Sequence, residues 1–129
     1  MNDTAQRVAI AAWMGWSQIE DAGRPLMLPA GIVLRGYPPT GAVIGHKLDF
    51  PNYTNDLRAI HDAEAKLDEF ERRRFVGVLL DKCVRRTDDM YWDVCHATAA
   101  QRAEALLRAI GLWASDAPAP SPAQTAPNA

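Results

Sequence analysis

A layered domain of mixed α and β structure is the fold class this sequence predicts. Three observations carry the expectation. Amphipathic stretches with helix start and stop signals stand near both ends and in the middle of the chain. A glycine-bracketed, β-rich region lies between the first two of them. The length, 129 residues, suits one domain rather than two. The expected order is α, β-rich region, α, α, β, α: about four helices and a small sheet in residues 1–114, then a Pro/Ala-rich tail in residues 115–129.

The first helix is expected over Thr4 to Met14. Asp3 can cap it, and Gln6 stands at capping-box spacing. Gly15 occupies the place of a left-handed C-terminal residue, and Trp16 can fold back as the apolar contact beyond it. From Arg24 to Lys47 the texture changes. IVLRGY and GAVIGHKL are β-rich runs separated by PPT, which reads as a hairpin or a pair of short strands. Pro25, Pro29, Pro38 and Pro39 interrupt regular pairing, and an ordered loop excursion is the alternative.

The second helix follows in PNYTNDLRAIHDAEAKL, with Thr54 or Asn55 as cap and Asp56 favoured at the positive helix start. Leu57, Ile60 and Leu67 form its apolar stripe. DEFERRRFVGVLLDKCV predicts a third helix. Asp68 and Glu71 have capping-box spacing, and Phe75, Val76, Leu79, Leu80, Cys83 and Val84 recur at helical intervals. FVGVLL also fits a buried strand. MYWDVCHA reads as a strand, with Met90, Trp92 and Val94 facing one way and Tyr91 and Cys95 the other.

The last helix is the most completely specified. In HATAAQRAEALLRAIGLW, Thr98 and Gln101 make a capping box, Ala99, Ala103, Leu106, Leu107 and Ile110 share a face, Glu104 and Arg108 pair across one turn, and Gly111 stops the run. Beyond it, SDAPAPSPAQTAPNA has no large apolar residue and cannot bury enough surface to offset its ordering entropy.

Composition excludes several classes. Hydrophobic residues at 48% and charged residues at 23% are ordinary globular usage. A net charge of −2 is no footprint for duplex nucleic acid. No apolar run approaches the ~20 residues of a membrane span, and the N-terminus lacks the pattern of a secretory signal. Cys83 and Cys95 fit no disulfide framework. A cytoplasmic setting is the expectation.

Three passages go further. MGW at Met14–Trp16, P-x-Y-x-x-D-L-x-A-I from Pro51 to Ile60, and ATA-x-Q-R-A-E-A-x-L-R-x-x-G from Ala97 to Gly111 together resemble the phage ABA-sandwich domain family, in order and approximate spacing. The resemblance implies an α-β-α sandwich in a small protein encoded by a bacteriophage or prophage, hence residence in the host bacterial cytoplasm. It implies no activity, because the family is named for its layering. The Pro/Ala tail lies outside it.

The chemistry-bearing residues point to binding more than to catalysis. His46, His61, His96, Cys83 and Cys95 lack the close ligand pairs of zinc sites, so neither metal nor cofactor is expected. Arg72, Arg73, Arg74, Lys82, Arg85 and Arg86 alternate with acidic residues, as on a solvated face. There is no G-x-S-x-G, H-E-x-x-H or P-loop, and the prolines of GYPPTG remove the donors a phosphate cradle needs. Two helix starts gather polar groups: Tyr53, Asn55 and Asp56 at one, His96, Gln101 and Arg102 at the other. Free N–H groups at a helix start attract anions, and the Arg102 guanidinium can grip phosphate or carboxylate bidentately. The alternative is that the caps already satisfy those donors. The expected function is stoichiometric binding by a small phage accessory protein, of a nucleotide signal of host immunity, another small anion or a host protein, in a homo-oligomer. Trp13, Trp16, Tyr37, Tyr53, Tyr91, Trp92 and Trp113 supply rings for core or ligand. A small enzyme acting on a nucleotide or peptide, and a purely structural oligomer, are the rival readings.

Overall fold

Helix α5, over Ala99–Ala109, is the element around which the molecule packs: α1 (Asp3–Met14), α2 (Leu57–Glu64) and α3 (Glu69–Cys83) all lie against it. The computed structural model describes residues 1–21, 34–39, 46–83 and 89–115. Its other described elements are β1 (Ser17–Asp21), β2 (Leu34–Tyr37), β3 (Leu48–Asp49) and α4 (Met90–Cys95). The class is mixed α and β, as the sequence predicts, with five helices and a three-stranded antiparallel sheet among the described residues.

α5 folds as its sequence specifies. The Thr98 hydroxyl accepts from the Gln101 N–H at 3.1 Å, and the Gln101 side chain accepts from the Thr98 N–H at 2.9 Å. Ala99, Ala103, Leu106 and Leu107 are buried, and Ile110 packs at the edge of the core. Ala105 and Ala109 are buried too. Small residues on the flanks of the apolar face let three helices approach one.

α3 is a helix throughout, so FVGVLL is not a strand. Asp68 and Glu71 exchange cap bonds at 2.7 and 3.0 Å. Phe75, Leu79 and Cys83, four residues apart, face α5, whereas Val76 is largely exposed. Val84 lies outside the described residues.

Two caps sit elsewhere than expected. In α1 the cap is Asn2, whose side chain accepts from the Ala5 N–H at 2.8 Å. Asp3 is instead free to take the Thr54 hydroxyl from the start of α2. Gln6 reaches back to the Met1 carbonyl at 3.0 Å. At α2 the cap is Asp56, accepting from the N–H groups of Arg58 and Ala59, so neither Thr54 nor Asn55 has that role. The buried face of α2 is Ala59, Ile60 and Ala63, continued by Leu67; Leu57, expected in the stripe, is exposed. As the first residue after the cap it has no turn of helix beneath it to share its contact.

Gly15 closes α1 as predicted. Its φ is 103°, its N–H bonds to Ala12 and the Trp16 N–H to Ala11, and a Cβ there would stand 2.8 Å from the Pro39 Cβ. Both the left-handed backbone and the close approach require glycine.

The sheet has the order β1-β2-β3. β2 pairs with β3 through Arg35 opposite Asp49 and Gly36 opposite Leu48, so IVLRGY supplies one short strand, whereas of GAVIGHKL only its last residue, Leu48, is in the other. Most of GAVIGHKL, and residues 22–33, lie outside the described residues. β1 was not expected. It pairs with β2 through Ser17–Tyr37, Glu20–Arg35 and Asp21–Leu34, with an irregularity between Ser17 and Glu20 where Gln18 takes a positive φ of 48°. Its sequence, SQIED, turns only Ile19 inward, so it carries no apolar alternation to read. Arg35–Asp49 at 2.7 Å and Lys47–Glu20 at 2.9 Å lace the exposed side.

The strand expected over MYWDVCHA is a helix, α4. Asp89 caps it by accepting from the Tyr91 and Trp92 N–H groups at 3.0 and 3.2 Å. The one buried residue of α4 is Asp93, 4% exposed, while Tyr91 and Trp92 are 78% and 58% exposed. An alternating apolar pattern makes a strand only where a sheet edge awaits it; among the described residues none does, and Asp89 supplies an N-cap instead.

Candidate functional site

The six residues singled out at the two helix starts fall into two separate groups. Tyr53 belongs to the core. It is buried, its ring lies 6.5 Å from that of Phe50, and Phe50 lies 5.7 Å from Trp16. Burial makes the phenol a weaker acid than a free tyrosine, pushing its pKa up, and the Trp16 side chain bonded to it works the other way. Asn55 is exposed beside it, and Asp56 is occupied as the cap of α2.

The second group sits at the corner between α4 and α5. His96 stacks on Trp92 with ring centroids 4.1 Å apart. Its Nδ1 is 2.8 Å from the Trp92 carbonyl. A carbonyl only accepts, so this contact holds the ring with Nδ1 protonated and leaves Nε2 to other partners. Gln101 is engaged in the capping box. Arg102 is 13% exposed in its side chain and turns inward: it donates to Glu64 Oε1 at 2.7 Å and to the Val94 carbonyl at 3.1 Å.

Arg102 therefore joins the end of α2 to α4 and α5. Because Asp56 begins α2 and Glu64 ends it, the two groups are separated by about 12 Å of helix rise. They do not converge on one pocket. The Glu64 carboxyl is held above the usual carboxylate range, because burial outweighs the attraction of Arg102 and of His61, whose Nε2 is 3.7 Å from Oε2.

Two adjoining grooves flank Lys82. One, of about 570 Å³, is lined by Gly77, Val78, Asp81, Lys82 and Arg108. The other, of about 250 Å³, is lined by Gln6, Lys82, Ala100, Gln101, Glu104 and Trp113. Glu104 pairs with Lys82 and lies 3.4 Å from the Arg108 guanidinium, which also covers the Trp113 ring at 4.9 Å. The cations of these grooves are thus answered from within the chain, which weakens their pull on an anion. Among the described residues no set of three His, Cys, Asp or Glu side chains is placed to hold a metal ion. No helix among them is long and apolar enough to cross a membrane.

The surface that sequence reading missed is α4 itself. Met90, Tyr91 and Trp92 are consecutive and all exposed, on a backbone fixed by the Asp89 cap, by Arg102 at Val94 and by His96 at Trp92. Three consecutive apolar residues span most of a helical turn and cannot all face one core. Had Asp89 been read as an N-cap, that exposure would have been foreseeable. Compared with protein families, with curated proteins and with solved structures, the chain matches none.

Proposed function

We propose that this protein acts by stoichiometric binding, and that Met90, Tyr91 and Trp92, with His96 behind Trp92, grip its target. The exposure of those three apolar side chains on a pinned turn is the observation that carries the reading. Large side chains already held in place lose little freedom on binding, and Tyr and Trp dominate the energetics of protein interfaces. A protein target is favoured over a nucleotide. These rings line neither groove flanking Lys82, and the Arg102 guanidinium, which reaches the Val94 carbonyl of the same helix, is spent on that bond and on Glu64. A nucleotide needs a stacking ring with a cation beside it. The resemblance to the phage ABA-sandwich family supports a phage accessory role, with a host protein as target.

The test compares the full chain with a Tyr91→Ala/Trp92→Ala variant in quantitative affinity capture from bacterial extract. Both changes are at exposed positions, so the melting temperature should hold within about 2 °C, the range of small surface effects. The expected result is one host protein retained near equimolar by the parent and lost by the variant. A nucleotide released intact in amounts matching the protein would replace the target class. Loss of a nucleotide or peptide at a trace of protein would overturn binding in favour of catalysis.

A further inference from the structure

We infer that α3 pairs with the α3 of a second copy of this chain, antiparallel, about a two-fold axis at Gly77. The inference is independent of the α4 surface. At 100° per residue, Phe75, Leu79 and Cys83 fix the face of α3 that meets the core. Phe70, Arg73, Gly77 and Asp81 fall on the opposite face. A face turned only to water carries polar residues. This one carries Phe70, 69% exposed.

Gly77 is the second observation. Glycine is among the least favourable residues in a helix interior, so an unforced one asks for a reason. The fold supplies none. Gly15 and Gly36 are needed, since a Cβ there would meet Pro39 at 2.8 Å and the Ser17 carbonyl at 3.0 Å. A Cβ on Gly77 would meet nothing within 4 Å. A glycine facing outward allows another backbone to come close. The groove of about 570 Å³ beside it, lined also by Val78, Asp81, Lys82 and Arg108, gives entering side chains room.

Charge selects the occupant and its direction. In an antiparallel pair centred on residue 77, a residue four positions before the centre faces one four positions after it. Arg73 then meets the partner's Asp81, and Asp81 meets the partner's Arg73. The contact is self-complementary, as a two-fold interface must be. A parallel pair would set Arg73 against the same residue of the second copy. Arg73 is available, because the pair it makes with Glu69 at 2.8 Å is highly exposed and of the kind that contributes little. One helix pair buries less than the ~1,200 Å² of a stable interface, so the dimer should form reversibly with concentration.

Sedimentation equilibrium of the full chain, from about 1 to several hundred micromolar to bracket the weak association expected of so small an interface, tests this. A reversible monomer–dimer equilibrium is expected. Gly77→Gln should weaken it at least tenfold while leaving the melting temperature of the dilute monomer unchanged or higher, since the position is open and glutamine favours helix. Arg73→Asp and Asp81→Arg should each weaken dimerisation, and the double variant should restore it, a rescue that a purely structural role for Gly77 would not produce. A chain monomeric throughout, a dimer unmoved by Gly77→Gln, or a double variant as weak as the singles would each overturn the inference.

Discussion

Glu64 is partly buried at the junction of three helices, and its charge is contested. Burial favours the neutral carboxyl; Arg102, then His61, favour the carboxylate. Burial prevails, so the folded protein holds this proton more tightly than the unfolded chain does. Where the unfolded chain has lost the proton and the folded one retains it, stability falls as pH rises. The fall begins in the ordinary carboxylate range and is complete once pH has passed the elevated range of Glu64. Below that window both states are protonated and the group adds no slope. Glu64→Gln has no proton to lose. The melting temperature of the parent minus that of Glu64→Gln should therefore decrease as pH rises through the window, the subtraction cancelling the slopes of other carboxylates. A difference that grows with pH would mean that the Arg102 attraction outweighs burial. At this scale the chemistry of Arg102 was legible and its direction was not. A planar fork for carboxylate was foreseen, but the carboxylate it grips is Glu64, thirty-eight positions away, brought there by tertiary packing.

Among the elements, those whose signals are complete within themselves fold as written. α5 carries cap, stripe, ion pair and stop in one stretch, and each is found in place. Thr98→Ala should accordingly cost about 1 kcal/mol of unfolding free energy, because the Gln101 N–H loses its acceptor and the reciprocal bond loses its geometry. Chemical denaturation measures this. Loss of target binding with stability untouched would mean that Thr98 serves a site instead. Elements that depend on neighbours were less legible. β1 has no pattern of its own and exists because β2 offers an edge. α4 has a strand-like pattern, yet no sheet edge among the described residues reaches it, and the Asp89 cap with the bonds of Arg102 and His96 makes it a helix. The exposed rings of α4 follow from that reversal, which is why the proposed binding surface differs from the helix-start residues that sequence reasoning favoured.

For the molecule as a whole, the question is where the cooperative unit ends. The chain turns back after α5: the N–H groups of Leu112 and Trp113 both reach the Leu107 carbonyl, at 2.8 and 3.2 Å, and Arg108 lies over the Trp113 ring. Trp113 is thereby packed against the core, and Ala114 and Ser115 are exposed. The sequence beyond, DAPAPSPAQTAPNA, offers no large apolar side chain to continue this packing. Hydrophobic burial is the main favourable term in folding, and a segment that contributes none adds little to the free energy of the folded state. A chain ending at Ala114 should therefore melt within about 1 °C of the full-length protein, less than the shift that 1 kcal/mol produces in a domain of this size. Neither the α3 face nor the α4 turn includes the removed residues, so the shortened chain should also keep the dimerisation constant of the parent and its retention of target. A drop of several degrees would show that the tail docks on the domain. In that event the groove lined by Gln6, Gln101, Glu104 and Trp113, which opens where the chain leaves α5, is the first place to look for the contact.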